Sequence, residues 1–241
     1  MSKKKQYHRP QRKFWYKIVH QDRDLIVVDK PAGLLTVPIP RIKSINLLDM
    51  LNRDCSGGGN IEIQTVHRID RYTSGLVVFA KNKATHYDLV KQFKARTPER
   101  IYLALVRGKM QPETGVLEHS MKRIDQGFRN IIVPEKDPTG SPARMEYKVM
   151  EQYADTCLVR IRLDSGLKNQ IRVQFAEVGN PMVGDRHYAR KEMDEPLIDR
   201  QALHAAELGF VHPAKGSPVL YKAKMPDDMK ELVKFYKAKT G

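Results

Sequence analysis

The sequence predicts an α+β fold, a single domain around a mixed, largely antiparallel sheet with flanking helices. Three observations favour this fold class. The chain has 241 residues, enough for one large domain or two small ones with a sizeable core. Apolar segments of strand length and of helical periodicity mix without strict alternation. No internal repeat, low-complexity tract or clear linker separates them.

Buried strands are indicated by short apolar runs that end at turn residues. Such runs occur at residues 24–29, 76–80, 101–107, 145–149, 156–163, 202–210 and 219–223. The first run stops at Lys30-Pro31, which we interpret as a rigid structural turn. Residues 108–142 are rich in Gly, Pro and charge and predict loops or a hairpin, and the glycines of 56–60 predict a flexible turn.

Helices are indicated by apolar residues that recur three and four positions apart. The pattern predicts helices near residues 45–54, 83–96 and 169–178 and a final helix from Pro226 onward. In the second of these, Lys and Arg stand between the apolar positions, which predicts an amphipathic helix with a basic outer face. The last opens with a proline and two acids, residue types that favour a helix start.

Charge is the compositional feature that points to a partner. The 43 basic and 28 acidic residues give a net charge of +15, which favours a polyanion through phosphate neutralisation and counterion release. Residues 1–20 hold seven Lys or Arg and no acid, so we expect a basic N-terminal tail followed by one domain over 21–241. No apolar run approaches the ~20 residues that cross a bilayer, and no secretory signal is recognisable. We therefore expect a cytoplasmic protein without a membrane partner.

The spacing of cysteine and histidine argues against metal chemistry. Cys55 and Cys157 stand far apart and neither forms a CxxC pair, while His204 and His212 flank a predicted strand. We expect no metal and no structural disulfide. Each cysteine is interpreted as a small core residue.

The stretch VHRIDRYTSGLVVFAK combines a charged loop with a buried strand. His67, Arg68, Asp70 and Arg71 fall within five residues, directly before Thr73-Ser74-Gly75 and the strand. A carboxylate between two guanidinium groups has two interpretations. It belongs either to a solvated turn or to an active-site loop.

The same stretch resembles the signature of the RluA-type RNA pseudouridine synthases, HRLDxxTSGLLLFAK. Four further segments resemble motifs of that family in the family's order: DLIVVDKPAGLLTVP, RIYLALVRG, NQIRVQFAEVGNPMVGDRHY and QALHAAELGFVHP. The resemblance covers about residues 22–226. It implies the pseudouridine synthase fold with a central active-site cleft, and a monomeric isomerase. Its substrate would be specific uridines of structured RNA, ribosomal or transfer RNA, and it would need no cofactor.

The resemblance also assigns three catalytic residues. Asp70 matches the family's essential carboxylate, which acts as a nucleophile or as a general base. Arg172 matches the pocket arginine and is expected to pair with Asp70, because burial beside a nucleobase otherwise favours the neutral acid. Tyr102 matches the pocket tyrosine, which stacks on the base and is a candidate for removing the proton from carbon 5.

RNA contacts are expected from a second group of residues. Arg68 would face the RNA and fill the space left by the flipped nucleotide. The other expected RNA-binding residues are Arg71, Lys168, Gln170 and Ile171. Where the family has T-G-R-T/S-H-Q, this chain has SGLKNQ, so Leu167 and Asn169 replace an Arg and a His. We expect this departure to change substrate contacts more than catalysis, with Lys168 supplying a displaced charge.

Two other functions compete with this one. A catalytically silent RNA-binding protein could use the same scaffold, but it would have no chemical need for Asp70, Tyr102 and Arg172 together. An unrelated hydrolase with an Asp base would need a paired acid or a Ser/His arrangement, and neither is recognisable.

Overall fold

The computed structural model describes residues 15–42, 44–55, 62–124, 129–189 and 197–240. Within these ranges the strands are β1 Lys17–Gln21, β2 Leu25–Lys30, β3 Gln64–Thr65, β4 Ser74–Ala80, β5 Glu99–Arg107, β6 Thr114–Ile124, β7 Arg129–Val133, β8 Ser141–Gln152, β9 Thr156–Leu163, β10 Leu203–Val211 and β11 Pro218–Lys222. The helices are α1 Leu47–Cys55, α2 Lys83–Lys94, α3 Gln170–Glu177 and α4 Asp227–Ala238. The glycine turn expected at 56–60 lies outside the described residues.

The strands form one sheet in the order β1-β2-β4-β10-β5-β9-β8-β6-β7, with β3 also paired to β4 and β11 also paired to β10. The pairing of β10 with β4 is parallel, and the other pairings between these strands are antiparallel. The expected α+β architecture with a mixed, largely antiparallel sheet is confirmed. Strand β10, late in the chain, joins a half-sheet of early strands to a half-sheet of middle strands.

Two segments contain more strand than their composition suggested. Residues 108–142 hold the hairpin β6–β7 and the start of β8, so the hairpin interpretation is confirmed there. Residues 17–20, expected to belong to a mobile tail, lie in β1, where Ile18 pairs with Val28. Residues 1–14 of the expected tail lie outside the described residues, so the division at residue 20 stays a prediction for them.

Local sequence explains where the helices begin. Asn82 caps α2, because its side-chain oxygen accepts a hydrogen bond from the Thr85 N–H at 2.9 Å. Helix α4 follows Pro226 as expected, and the Asp228 carboxylate in its first turn accepts two hydrogen bonds from Arg200, at 2.7 and 2.8 Å. This ion pair fixes α4 against the segment that leads into β10.

The core lies on both faces of the sheet around β2 and β4. All seven residues of β4 are buried. The largest apolar cluster joins both half-sheets and contains Cys157, as expected of a small core residue, while Cys55 packs against its edge. Leu89 of α2 packs on the opposite face, in a second cluster. Because β4 is fixed on both faces, the loop that precedes it has a rigid support.

Candidate active site

A pocket of about 630 Å³ opens between the loop before β4, the end of α2, strand β5 and the start of α3. Seven cationic side chains line it: Arg68, Lys94, Arg96, Arg100, Arg123, Lys168 and Arg172. Among the described residues, Asp70 is the one carboxylate in the lining. Tyr102, Ile171 and Leu203 contribute to the walls. The loop of HRID, the strand of IYLALV and the helix of NQIR therefore meet at one place.

Asp70 lies in a loop whose backbone is held on both sides. The carbonyl of Ile69 accepts a hydrogen bond from the Thr36 hydroxyl at 2.8 Å. The carbonyl of Asp70 accepts one from the Thr73 N–H at 3.1 Å, which closes a turn before β4. The carboxylate is thus fixed at the pocket by its backbone, and its side chain stays 23% exposed.

Lys30 holds the backbone of Arg71, the residue after Asp70 in this loop. Its side chain is fully buried, and its ammonium donates hydrogen bonds to the carbonyls of Pro31, Leu34 and Arg71 at 3.0, 2.8 and 3.2 Å. Burial lowers the pKa of Lys30 to about 7, although the nearby Asp70 carboxylate opposes that shift. The structural role read from Lys30-Pro31 therefore extends to the loop that carries Asp70.

Arg172 is shared unequally between two carboxylates. Its Nη1 lies 3.7 Å from Oδ2 of Asp70, whereas its Nε and Nη2 donate hydrogen bonds to Asp185 at 2.6 and 2.8 Å. Burial raises the pKa of Asp185, but the Arg172 pair and the N–H groups of His187 and Tyr188 outweigh burial and hold this pKa below its usual value. Arg172 thus meets Asp70 as expected, but its principal partner is Asp185, which was not expected. Asp185 lies within the quoted segment NQIRVQFAEVGNPMVGDRHY, but no spacing pattern there marks its contact with Arg172.

Tyr102 lies on β5 with 8% of its surface exposed. Burial raises the pKa of Tyr102 to about 12; the Arg100 charge opposes this shift and the Asp70 charge adds to it. At neutral pH the side chain is therefore a phenol. It can pack against a ligand in the pocket. It can accept a proton only if its own hydroxyl proton is transferred to another group.

Comparison with known families decides what kind of protein holds this pocket. The sequence profile of the RNA pseudouridylate synthases matches residues 24–177, well over half of the chain, and this segment includes Asp70, Tyr102 and Arg172. This chain belongs to the RNA pseudouridylate synthase family. The expected RluA-type assignment is confirmed by curated relatives of this family.

Two such relatives match most of this chain. It is 36% identical over 224 residues to ribosomal large subunit pseudouridine synthase D of Nitrosomonas europaea, over 90% of this chain and 64% of that relative. It is 35% identical over 219 residues to dual-specificity RNA pseudouridine synthase RluA of Escherichia coli, over 90% of this chain and 96% of that relative. The chain thus spans less than two thirds of the first relative's length and nearly all of the second's.

Solved structures show the same fold. Human RNA pseudouridylate synthase domain containing 4 matches with a TM-score of 0.76 and 22% identity over 91% of this chain and 92% of that one. Human RNA pseudouridylate synthase domain containing 1 matches with a TM-score of 0.71 and 24% identity over 96% of this chain and 98% of that one. The expected pseudouridine synthase fold is therefore confirmed.

The departure from the family's motif before the pocket arginine has a structural consequence. Asn169, which replaces a His, adopts a left-handed backbone with φ 56°, a conformation that asparagine tolerates. Its side-chain oxygen accepts a hydrogen bond from Arg172 at 3.2 Å, and its nitrogen donates to the Tyr188 hydroxyl at 3.2 Å. The guanidinium of Arg172 also lies 5.0 Å from the centre of the Tyr188 ring. Asn169 therefore helps to hold Arg172, while Leu167 packs in a small apolar cluster.

Gln170 lies in the pocket lining, and its side chain is bonded within the protein. Its side chain is buried, and its oxygen accepts hydrogen bonds from the Ser165 hydroxyl and the Leu167 N–H. Its nitrogen donates to the Arg144 carbonyl and to Gln174 at 3.2 and 3.0 Å. These bonds use its two donor hydrogens and two acceptor lone pairs, and an RNA contact by Gln170 stays a prediction. Gln170 instead holds the start of α3 against β8.

The other expected RNA contacts divide by position. Arg68 and Lys168 are exposed and line the pocket, and Ile171 is a buried part of its wall. Arg71 lies outside the lining, where its Nε donates a hydrogen bond to the Gly33 carbonyl at 2.9 Å. RNA binding by these four residues stays a prediction.

His67 shapes the loop, in line with its position in the motif. Its Nε2 accepts a hydrogen bond from the Val78 N–H at 3.1 Å, and its ring stacks on Phe93 with centroids 4.4 Å apart. Burial lowers the pKa of His67 to about 3, with a smaller contribution from Arg100. The ring is therefore neutral and holds the loop to β4 and α2.

The sequence did not single out four of the pocket's cations, Lys94, Arg96, Arg100 and Arg123. They come from the end of α2, the start of β5 and the hairpin, which only the fold brings together. In the described ranges, no three His, Cys, Asp or Glu side chains cluster as metal ligands, and no helix is long and apolar enough to span a membrane.

Proposed function

We propose that this protein is an RNA pseudouridine synthase that isomerises uridine in structured RNA, with Asp70 as the essential carboxylate. Ribosomal RNA is the first substrate class, because the matched relative from Nitrosomonas europaea is named for it. Transfer RNA is the second. We expect the enzyme to act as a monomer. The observation that carries the proposal is that Asp70 is the one carboxylate among seven cations in the pocket, within the described residues.

The proposed reaction balances without a cofactor. The bond between N1 of uracil and C1′ of ribose breaks, and a bond between C5 and C1′ forms. The hydrogen on C5 leaves as a proton, and N1 gains a proton. The protein must therefore hold the base while it turns, act on the ribose or the base, and move one proton.

The pocket side chains suit these tasks. Asp70 can attack C1′ as a nucleophile or act as a general base, and both roles need an ionised carboxylate. The surrounding cations can bind the phosphates that flank a uridine. A pocket of about 630 Å³ lies within the size range of small-molecule sites and suits a flipped nucleotide.

Arg172 and Tyr102 complete the proposed site. Because Asp185 and Asn169 hold the guanidinium of Arg172, its Nη1 is positioned toward Asp70 before RNA binds. Tyr102 would pack against the uracil ring. Since burial keeps it a phenol, it would take the C5 proton only while its own proton moves on.

The test is the substitution Asp70→Asn, with Asp155→Asn at an exposed position as the matched control. Unmodified large-subunit ribosomal RNA and transfer RNA, transcribed in vitro, serve as substrates, and pseudouridine is mapped by chemical labelling and sequencing. We expect Asp70→Asn to lower the rate on the order of 10³-fold or more, with RNA affinity nearly unchanged. Near-normal pseudouridine formation by Asp70→Asn would refute the role of Asp70. A wild-type protein that binds both RNAs and modifies neither would instead support the silent RNA-binding protein.

A further inference from the structure

The outer face of α2 carries a strip of three lysines around an exposed tyrosine. Lys83, Tyr87, Lys91 and Lys94 follow one another at intervals of four, four and three residues, so they lie on one side of the helix. All four are exposed, and Tyr87 keeps 74% of its surface in solvent. We refer to these four residues as the α2 strip. An exposure this high means that packing against the described residues does not explain an aromatic ring at this position.

The lysines of the α2 strip have no acidic counterpart in the described part of the chain. None of them lies within 4 Å of a carboxylate oxygen there. The acid of the same helix, Asp88, is half-buried in a different groove, beside Pro213 and Ala214. The positive charge of the strip is therefore left for a partner or for solvent.

Helix α4 shows that this fold can neutralise a lysine-rich helix. Three of its exposed lysines each meet a carboxylate at 2.8 Å, in the pairs Lys230–Asp227, Lys234–Glu231 and Lys237–Glu151. Helices α2 and α4 thus have equal length and a similar number of surface lysines. Within the described residues, the lysines of α4 form ion pairs and those of the α2 strip do not. The lack of ion pairs at the lysines of the α2 strip, within the described residues, therefore distinguishes that face from α4.

The strip leads directly to the pocket. Lys94, at its end, lines the pocket together with Val90 and Phe93 from the adjacent face of α2. At 1.5 Å per residue, the strip extends about 16 Å from this point to Lys83. A strand of RNA that leaves the pocket along α2 would pass over all four side chains.

We propose that the α2 strip binds the single-stranded RNA segment next to the target uridine. Lys83, Lys91 and Lys94 contact successive phosphates, and Tyr87 stacks on an unpaired base. Phosphate contacts and aromatic stacking together are the usual means by which proteins hold single-stranded RNA without reading its sequence. The inference rests on the proposed function, because it takes RNA to be the ligand of the pocket.

The test compares two charge-matched variants. Lys83→Gln/Lys91→Gln removes two charges from the α2 strip, and Lys230→Gln/Lys234→Gln removes two from α4. The probes are uridine-containing single-stranded RNAs of about 4 and about 16 nucleotides, the range over which such sites extend. Affinity is measured by fluorescence anisotropy as a function of salt concentration.

For the long probe, we expect the α2 variant to flatten the slope of log affinity against log salt by about 1.4, that is about 0.7 for each lost phosphate contact. The α4 variant should change it by clearly less. The short probe, which occupies the pocket alone, should bind the α2 variant and the α4 variant alike. Tyr87→Ala should weaken binding of the long probe by about tenfold, and Tyr87→Trp should restore it.

Two outcomes would overturn the inference. One is an equal salt slope for the two charge variants with the long probe. The other is unchanged binding of that probe by Tyr87→Ala. Pseudouridine formation by the wild-type enzyme is scored separately. Its absence would refute the proposed function, whereas active wild-type enzyme with equal slopes would refute the strip alone.

Discussion

Arg172 is the residue on which the candidate site depends most, and it is held mainly by a carboxylate that the sequence did not reveal. Asp70, Tyr102 and Arg172 were predicted from short motifs, and all three lie around one pocket. Asp185 was missed because its partner is 13 positions away across an irregular loop, where no periodicity marks a contact. The burial of the Gln170 side chain was not predicted either, because motifs do not report which side of a helix start is buried. The sequence thus predicts which residues contribute to the site, but not which of them form pairs.

Arg172→Met is expected to lower the free energy of unfolding by about 3–5 kcal/mol. The reason is that the fully buried side chain of Asp185 would lose its cation. The double substitution Arg172→Met/Asp185→Asn should cost less than the sum of the single changes, with a coupling of about 1–3 kcal/mol. Denaturant unfolding of the four proteins measures this coupling.

The matched control is the pair Arg172→Met with Asp70→Asn. Asp70 lies 3.7 Å from the guanidinium and is 23% exposed, so its coupling to Arg172 should be the weaker of the two. Equal coupling for both pairs would contradict the unequal sharing of Arg172.

At the scale of elements, the strands and helices with strong apolar patterns were predicted with small errors at their ends. The exceptions have a common cause. Strand β1 and the hairpin β6–β7 lie at the two edges of the sheet, where residues are largely exposed and charged, as edge strands commonly are. Their sequences therefore lack the buried alternation by which a strand is recognised. The parallel contact of β4 with β10 was also beyond the sequence, because it joins segments 130 residues apart.

That parallel contact depends on Gly75, which has a φ of +112°. A Cβ atom at this position would lie 2.6 Å from the backbone nitrogen of Ala205 and would also collide with its carbonyl oxygen. We expect Gly75→Ala to lower the free energy of unfolding by about 3 kcal/mol or more, since neither backbone can move aside. Gly179→Ala is the control, because φ there is +84° but no atom lies within 4 Å. Gly179→Ala should lower the free energy of unfolding by only about 1 kcal/mol in the same denaturant titration. Equal losses for the two variants would show that β10 shifts to accommodate the new Cβ atom.

At the scale of the whole molecule, two histidines with lowered pKa values make stability depend on pH. Burial lowers the pKa of His67 to about 3 and that of His204 to about 4. Unfolded histidine titrates near 6.5, so between pH 6.5 and about 4 the unfolded chain binds protons that the folded protein does not. The free energy of unfolding should therefore fall as pH drops through this window, by a few kcal/mol in all.

Unfolding by urea at pH 7.5, 6 and 4.5 measures this decline. The variant His67→Gln/His204→Gln should decline less steeply than the wild type, because glutamine does not titrate. Parallel curves for the two proteins would mean that other groups cause the loss. Asp22 and Asp185, whose pKa values lie below the usual value, weaken the fold only at still lower pH.

The central place of β10 has a consequence for the order in which a new molecule becomes active. A ribosome adds about 5–20 residues per second, and N-terminal parts of a chain can fold first. The loop of Asp70 and the strand of Tyr102 are therefore made long before residues 203–211, which join them. Until that strand emerges, the two half-sheets have no common neighbour and the pocket between them is unassembled. A nascent chain therefore cannot assemble the proposed site until residue 211 has been synthesised.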